Sequence, residues 1–299
     1  MRLLLFVFMI LFSFPSWAAP KVVATIAPLA GIAAAVMDGV GMPDLLIKNN
    51  ASPHTYQMKP SDMALVAEAD IVVWDGEGLE NFLAGKLSTL APRARLVGLL
   101  DEQSGARLLP VRTSTEWEAD DDGDAAVAHD PHAWLDPVNA VALARYLSDQ
   151  LAEIDPVHAE KYRLNAHAFA QQMAGIDADI KTRMSKLQAE GFIVFHDGYQ
   201  YFTRHYGLKE LGAITLAPDV PPSARRLAEL QERIRSQNAA CVFAEPQFSP
   251  ALVETLVSGT QARIGTLNPD ASDLPVSPHL YEDYLLRLTD AFSDCLMPG

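Results

Sequence analysis

The stretch Lys21-Val22-Val23-Ala24-Thr25-Ile26-Ala27-Pro28-Leu29-Ala30-Gly31-Ile32-Ala33-Ala34-Ala35-Val36 decides the fold class. Residues 21–26 read as a buried β-strand, because β-branched side chains suit an enclosed pleated surface. Pro28 ends the strand, and the alanine-rich residues 29–36 follow with helical spacing. This is a βα unit, and the alternation recurs. Strands are expected at Leu45-Leu46-Ile47, Ile71-Val72-Val73-Trp74 and Arg95-Leu96-Val97-Gly98-Leu99, with a helix opened by Pro60-Ser61-Asp62 that sets Leu65, Val66 and Ala69 on one face. The second half repeats the order: strands at 192–195, 211–216, 240–244 and 262–266, with helices near 199–205, 223–235, after Ser249-Pro250 and at 281–292. Strands alternating with helices argue for parallel sheets. The fold class is therefore α/β, with two doubly wound lobes.

Between the halves, Asp136-Pro137 is a good helix start, with Asp at the cap and Pro in the first turn. Helical spacing runs through Val141, Leu147 and Leu151 until Asp155-Pro156 interrupts it. A second helical stretch from residue 157 to about 191 has no internal proline. Roughly thirty helical residues would reach about 45 Å, so this segment is assigned as a rigid connector. The boundaries follow: signal 1-18, N-terminal lobe 19-155, connecting helix 156-190, C-terminal lobe 191-299.

The signal is read from one Arg, an apolar stretch over residues 3–12, and Ser16-Trp17-Ala18, which fits the small-x-small rule for signal peptidase. No later stretch approaches the roughly 20 apolar residues needed to span a bilayer. Export without membrane insertion is the expectation. Removing 18 of 299 residues leaves 281, enough for two lobes with separate cores and a cleft between them. The formal charge of −15 becomes −16 when Arg2 leaves with the signal. That balance opposes nucleic acid and anionic lipid as partners and weakly favours cations. From residue 101 to 131 the periodicity is lost, and Glu116, Glu118, Asp120, Asp121, Asp122 and Asp124 make an acidic loop near 112-130. It reads as a solvated loop or as a weak cation-gathering lid over the cleft.

Ligand crevices in open parallel sheets lie beyond the carboxyl ends of the strands. His54, His196, Glu245 and Asp270 occupy such positions, and His132 follows the acidic loop just before a helix. Neutral imidazole is the commonest side-chain ligand for zinc, and three with an open or water-filled fourth place form a known arrangement. The separations of 78 and 64 residues match no local motif, so three unrelated loop histidines remain the alternative. Cys241 and Cys295 are an even count in an exported chain and suggest one disulfide. Metal ligation competes, although neither cysteine has His or Cys partners at zinc-finger spacing.

The local wording adds a resemblance. Ser52-Pro53-His54-Thr55-Tyr56 with Lys59-Pro60-Ser61-Asp62, then Asp130-Pro131-His132-Ala133-Trp134-Leu135-Asp136-Pro137, then Phe195-His196-Asp197-Gly198-Tyr199-Gln200-Tyr201-Phe202, and Cys241-Val242-Phe243-Ala244-Glu245-Pro246-Gln247-Phe248 resemble the zinc-specific substrate-binding proteins of bacterial metal ABC importers. The resemblance covers almost the whole mature chain in order. It implies two α/β lobes joined by one long rigid helix, zinc between them on His54, His132 and His196, and a Cys241–Cys295 disulfide. Two departures matter. Relatives with a carboxylate as fourth ligand often carry Asp where this chain has Asn268, and some carry Glu where it has Pro53. Water is then the first choice for the fourth place, with Asp270 or Glu245 behind it as ligand or as a group that orients one. Losing a carboxylate favours zinc over manganese, which prefers oxygen ligands. Zinc-importing relatives also often have a His-rich insertion where this loop offers only His129.

The resemblance implies capture of Zn2+ and delivery to a membrane permease, with a monomer expected. The alternatives are a manganese or other divalent-metal binder of the same importer type, a zinc hydrolase with Glu245 as base, or an exported adhesin without metal. Trp134 and Tyr199 read as cleft walls, and Asp197 as a further candidate to orient a ligand. His158, His167 and His205 read as surface or boundary residues, and His279 as a helix-start residue.

Overall fold

The structure is a computed structural model that describes residues 18–112, 129–216, 218 and 221–297. The expected signal and the acidic run Glu116 to Asp124 lie outside the described residues, save Ala18. The first sheet comprises β1 (Val22–Ala24), β2 (Asp44–Leu45), β3 (Ile71–Trp74) and β4 (Arg95–Gly98), in the order β2-β1-β3-β4, all parallel. Hydrogen bonds from Leu46 N to Ala24 O and Ile47 N to Thr25 O, both 2.9 Å, carry the β2 ladder on through residues 46 and 47. The second sheet comprises β5 (Gly191–His196), β6 (Lys209–Thr215), β7 (Cys241–Ala244) and β8 (Arg263–Thr266), in the order β6-β5-β7-β8, again parallel. In each sheet the chain crosses to one side of the first strand and then returns past it. The switch points therefore fall between β1 and β3 and between β5 and β7, as a doubly wound fold requires.

The helices are α1 (Ala27–Met37), α2 (Pro60–Ala67), α3 (Leu87–Leu90), α4 (Pro137–Ile154), α5 (Ala159–Met184), α6 (Gln200–Tyr206), α7 (Ala224–Ser236), α8 (Ala251–Val257) and α9 (Leu280–Leu296). Pro28 stands in the first turn of α1, where a missing N–H costs nothing, so the helix begins earlier than the proline suggested. The cap at Asp136 is as expected: its carboxylate accepts from Val138 N at 2.9 Å. The 26 residues of α5 span about 39 Å. Its buried residues Tyr162, Ala166, Phe169, Met173, Ile180 and Met184 recur at helical spacing. That face lies along α4 and α1 and reaches α6 and α9, so α5 touches elements of both halves.

The expectation of one core per lobe is corrected. One continuous apolar cluster runs from Val22 and Ile71 through Leu143, Tyr162 and Phe169 to Phe192, Phe243 and Phe292. A smaller cluster, with Ile193, Phe195, Ile214, Leu230, Val242 and Val253, fills the other face of the second sheet. The division runs through β5, whose side chains alternate between the clusters with the period of two that a pleated strand imposes. Cys241 opens β7 and Cys295 lies in α9; the two are joined, with Cα atoms 6.0 Å apart. No helix among the described residues is long and apolar enough to cross a membrane.

Candidate metal centre

Three unrelated pieces of backbone bring His54, His132 and His196 together. His54 sits on the loop after β2, where Asn49 and Asn50 take left-handed φ values of 62° and 56°. Asn tolerates that region better than most residues, and the two turn the loop over the sheet edge. His132 immediately precedes the 3-10 turn Ala133–Leu135. His196 is the last residue of β5, beside the switch point, and the chain turns at once, with Gly198 N donating to His196 O at 2.8 Å. The Nε2 atoms of His54 and His132 are 3.2 Å apart and those of His132 and His196 3.1 Å. A tetrahedral ion with metal–nitrogen bonds of about 2.0–2.1 Å would hold imidazole nitrogens about 3.3–3.4 Å apart, so small ring shifts would fit one.

Carboxylates behind two of the rings fix which nitrogen faces the cleft. Glu245, at the end of β7 across the switch point, lies 2.7 and 2.9 Å from His196 Nδ1 through its two oxygens and accepts from the Tyr199 hydroxyl at 3.1 Å. Asp130 Oδ1 lies 2.8 Å from His132 Nδ1 and accepts from His132 N at 3.0 Å. Each Nδ1 is thereby occupied and each Nε2 is left for a ligand. Burial pulls the His196 imidazole down, yet the Glu245 charge outweighs it and the pKa is raised. At His132 burial prevails over Asp130 and the pKa is lowered. Burial and the other two imidazoles hold His54 well below its ordinary value.

Among the described residues no carboxylate joins the group whose ligand atoms lie within 4.8 Å of one another. Glu245 is spent on His196. Asp270 accepts from Gln247 at 3.2 Å, and burial and Glu245 push its carboxyl up to about 7. Asp197 does not orient a ligand; it faces Arg112 at 3.1 Å. Trp134 is a buried wall whose Nε1 donates to Pro269 O, and Tyr199 serves through Glu245 as well as by packing. Of the other histidines, His167 is exposed, His158 and His279 stand at helix starts, and His205 is enclosed between Asp136 and Asp177. Sequence reasoning missed Asp130 and Arg112. Asp130 carried a signal, a carboxylate two residues before a candidate ligand.

Two parallel α/β sheets and a seam where three imidazoles converge, two of them braced by carboxylates, define a two-sheet protein with a site suited to a divalent cation. The family model described as zinc-uptake complex component A, periplasmic, matches residues 22–295, and the chain belongs to that family. It is 36% identical to the high-affinity zinc uptake system protein ZnuA of Brucella abortus, covering 92% of this chain and 91% of that one. It is 34% identical to the protein of the same name from Yersinia pestis, over 93% and 92%. A crystal structure of ZnuA superposes with a TM-score of 0.79 at 26% identity, covering 93% of this chain and 100% of that one.

Proposed function

We propose that this protein is the zinc-capturing subunit of an ABC-type importer, working in the periplasm after cleavage of residues 1-18 and passing Zn2+ to the membrane permease. His54, His132 and His196 are the protein ligands, and water takes the fourth place. The observation that carries this reading is the convergence of three imidazoles from segments far apart in sequence, with Nε2 atoms 3.2 Å apart for His54 and His132 and 3.1 Å apart for His132 and His196. Membership of the zinc-uptake family supports it.

The geometry performs capture in a simple way. At His54 and His132 protonation is disfavoured, so those imidazoles need lose no proton when a cation arrives. Asp130 and Glu245 hold two rings at the right tautomer and become stronger partners as the rings gain positive character on metal binding. An imidazole set without a carboxylate favours zinc over manganese. A hydrolytic role would need a base beside the bound water, and Glu245 faces the far nitrogen of His196 instead. The α5 helix is proposed as the connector between lobes 19-155 and 191-299, and the working unit as a monomer.

The test is competitive titration of the metal-stripped mature protein with zinc and manganese, repeated on His54→Ala, His132→Ala and His196→Ala. Each substitution should weaken zinc binding by at least about 100-fold, more than loss of an outer partner does. Unchanged affinity in any one removes that residue from the site, and tighter manganese than zinc binding overturns the assignment of cargo.

A further inference from the structure

Residues 109–112 and 129–130 lie side by side as one narrow neck. Pro110 and His129 form an isolated antiparallel bridge, and Asp130 N donates to Leu109 O at 2.9 Å. The neck is stitched to the second sheet's helix α6. Leu109 N donates to the Tyr201 hydroxyl at 2.9 Å, that hydroxyl donates to Asp130 O at 3.0 Å, and Gln200 donates to Pro110 O at 3.2 Å. Arg112 completes the seam with charge. Its guanidinium lies 3.1 Å from Asp197 and 2.9 Å from Glu210 on β6, and Thr203 donates to the same Glu210 oxygen at 2.8 Å.

The cluster is enclosed: the side chains of Arg112, Asp197 and Glu210 are 14%, 9% and 4% exposed. They also stand next to the ligands in the chain. Asp197 follows His196, and the neck that carries Arg112 is bonded to Asp130, the brace of His132. Moving the His132 segment away from the His196 turn therefore pulls Arg112 out of two buried carboxylates. In a closed charge pair, truncating one partner acts chiefly on dissociation.

We propose that Arg112 is a positioning residue that latches the His132 neck to the His196 turn and sets how fast zinc leaves. The latch is not a ligand, and it rests on the reading of the three histidines as the zinc site. Arg is suited to it, because its rigid fork grips two carboxylates at once where Lys offers a point charge.

The experiment is stopped-flow release of Zn2+ from the mature protein into excess chelator, with thermal melts of the zinc-free protein alongside. Arg112→Ala should speed release by at least about tenfold, and Arg112→Lys by less, since the charge is kept and the fork lost. Leu256→Ala, in the small cluster behind the second sheet, controls for lost stability; it should lower the melting temperature and leave release unchanged. If Arg112→Ala does not fold, Arg112→Lys and Glu210→Gln decide by the same criterion. Release within twofold of wild type in the folded Arg112 and Glu210 variants, or equal acceleration in Leu256→Ala, overturns the latch. Should wild type itself fail to bind zinc, the zinc reading falls; should it bind and lose affinity on histidine substitution while Arg112 variants release normally, only the latch falls.

Discussion

Replacing Glu245 separates charge from geometry at the metal centre. The carboxylate holds His196 Nδ1 through both oxygens and accepts from Tyr199. In Glu245→Gln the amide oxygen still accepts from Nδ1–H, so the ring keeps its orientation but loses the negative charge that would stabilise it on a cation. In Glu245→Ala the ring loses both, and the buried Tyr199 hydroxyl loses its acceptor. Outer partners of metal-bound histidines are worth about 10–100-fold in affinity, which is about 1.4–2.8 kcal/mol. Glu245→Gln should fall at the lower end of that range and Glu245→Ala at or above the upper end. Competition against a chromogenic zinc chelator, at a pH where the free imidazoles are neutral, reads both. Zinc affinity equal to wild type in Glu245→Ala, with His196→Ala impaired in the same assay, would refute the claim that Glu245 acts through His196.

Other outcomes follow from groups away from the metal. Burial lowers the His205 pKa, but Asp136 and Asp177 outweigh it and raise it above 6.5; its stabilisation is thus complete below that value and lost as pH rises through the folded pKa. The melting gap between wild type and His205→Gln should therefore be wider at pH 6 than at pH 9, and a gap that widens with pH would contradict the clamp. Asp75 is fully buried with no hydrogen-bond partner for either oxygen, and burial, then Glu80 and Asp130, push its carboxyl well up. A raised acid favours the fold at low pH and loses that contribution as pH climbs, so Asp75→Asn should stabilise the zinc-free protein at neutral pH by roughly 1–3 kcal/mol, with a gain in urea melts that shrinks towards pH 4. Reduction of Cys241–Cys295, separated by 54 residues, should cost about 4 kcal/mol in the chain-entropy account, and an Ellman assay on the unfolded, unreduced protein should find no thiol.

Most strands were legible because they are short apolar runs closed by a proline, a glycine or a polar turn, and the two parallel sheets follow from alternation with helices. His196 was legible for the same reason, as the residue where a buried run stops. Asp130 was harder to see: Asp130-Pro131 has the form of a turn, and only the folded backbone brings its oxygen back to the ring two residues on. Arg112 stands at the edge of an aperiodic acidic stretch, where one cation looks like a solvated counter-charge; its carboxylates are 85 and 98 positions away. The single large core was also hidden. Apolar periodicity shows that a face is buried but not which distant face covers it.

That core includes a contact between the beginning of the chain and its end. At Gly31 in α1 a β-carbon would lie 2.9 Å from Leu280 and from the Tyr281 backbone, so the first helix accepts the start of the last one against its bare backbone. In order of synthesis, α1 emerges early and meets α4 and α5 midway, but the start of α9 reaches it only when nearly the entire polypeptide exists. A ribosome-bound or half-translocated chain therefore carries an almost wholly apolar helix that is only partly covered, and one stopped before residue 280 leaves its Gly31 face open. Chaperone occupancy should fall fully only when the final residues are free, and nonsense mutations just before residue 280 should still lower yield.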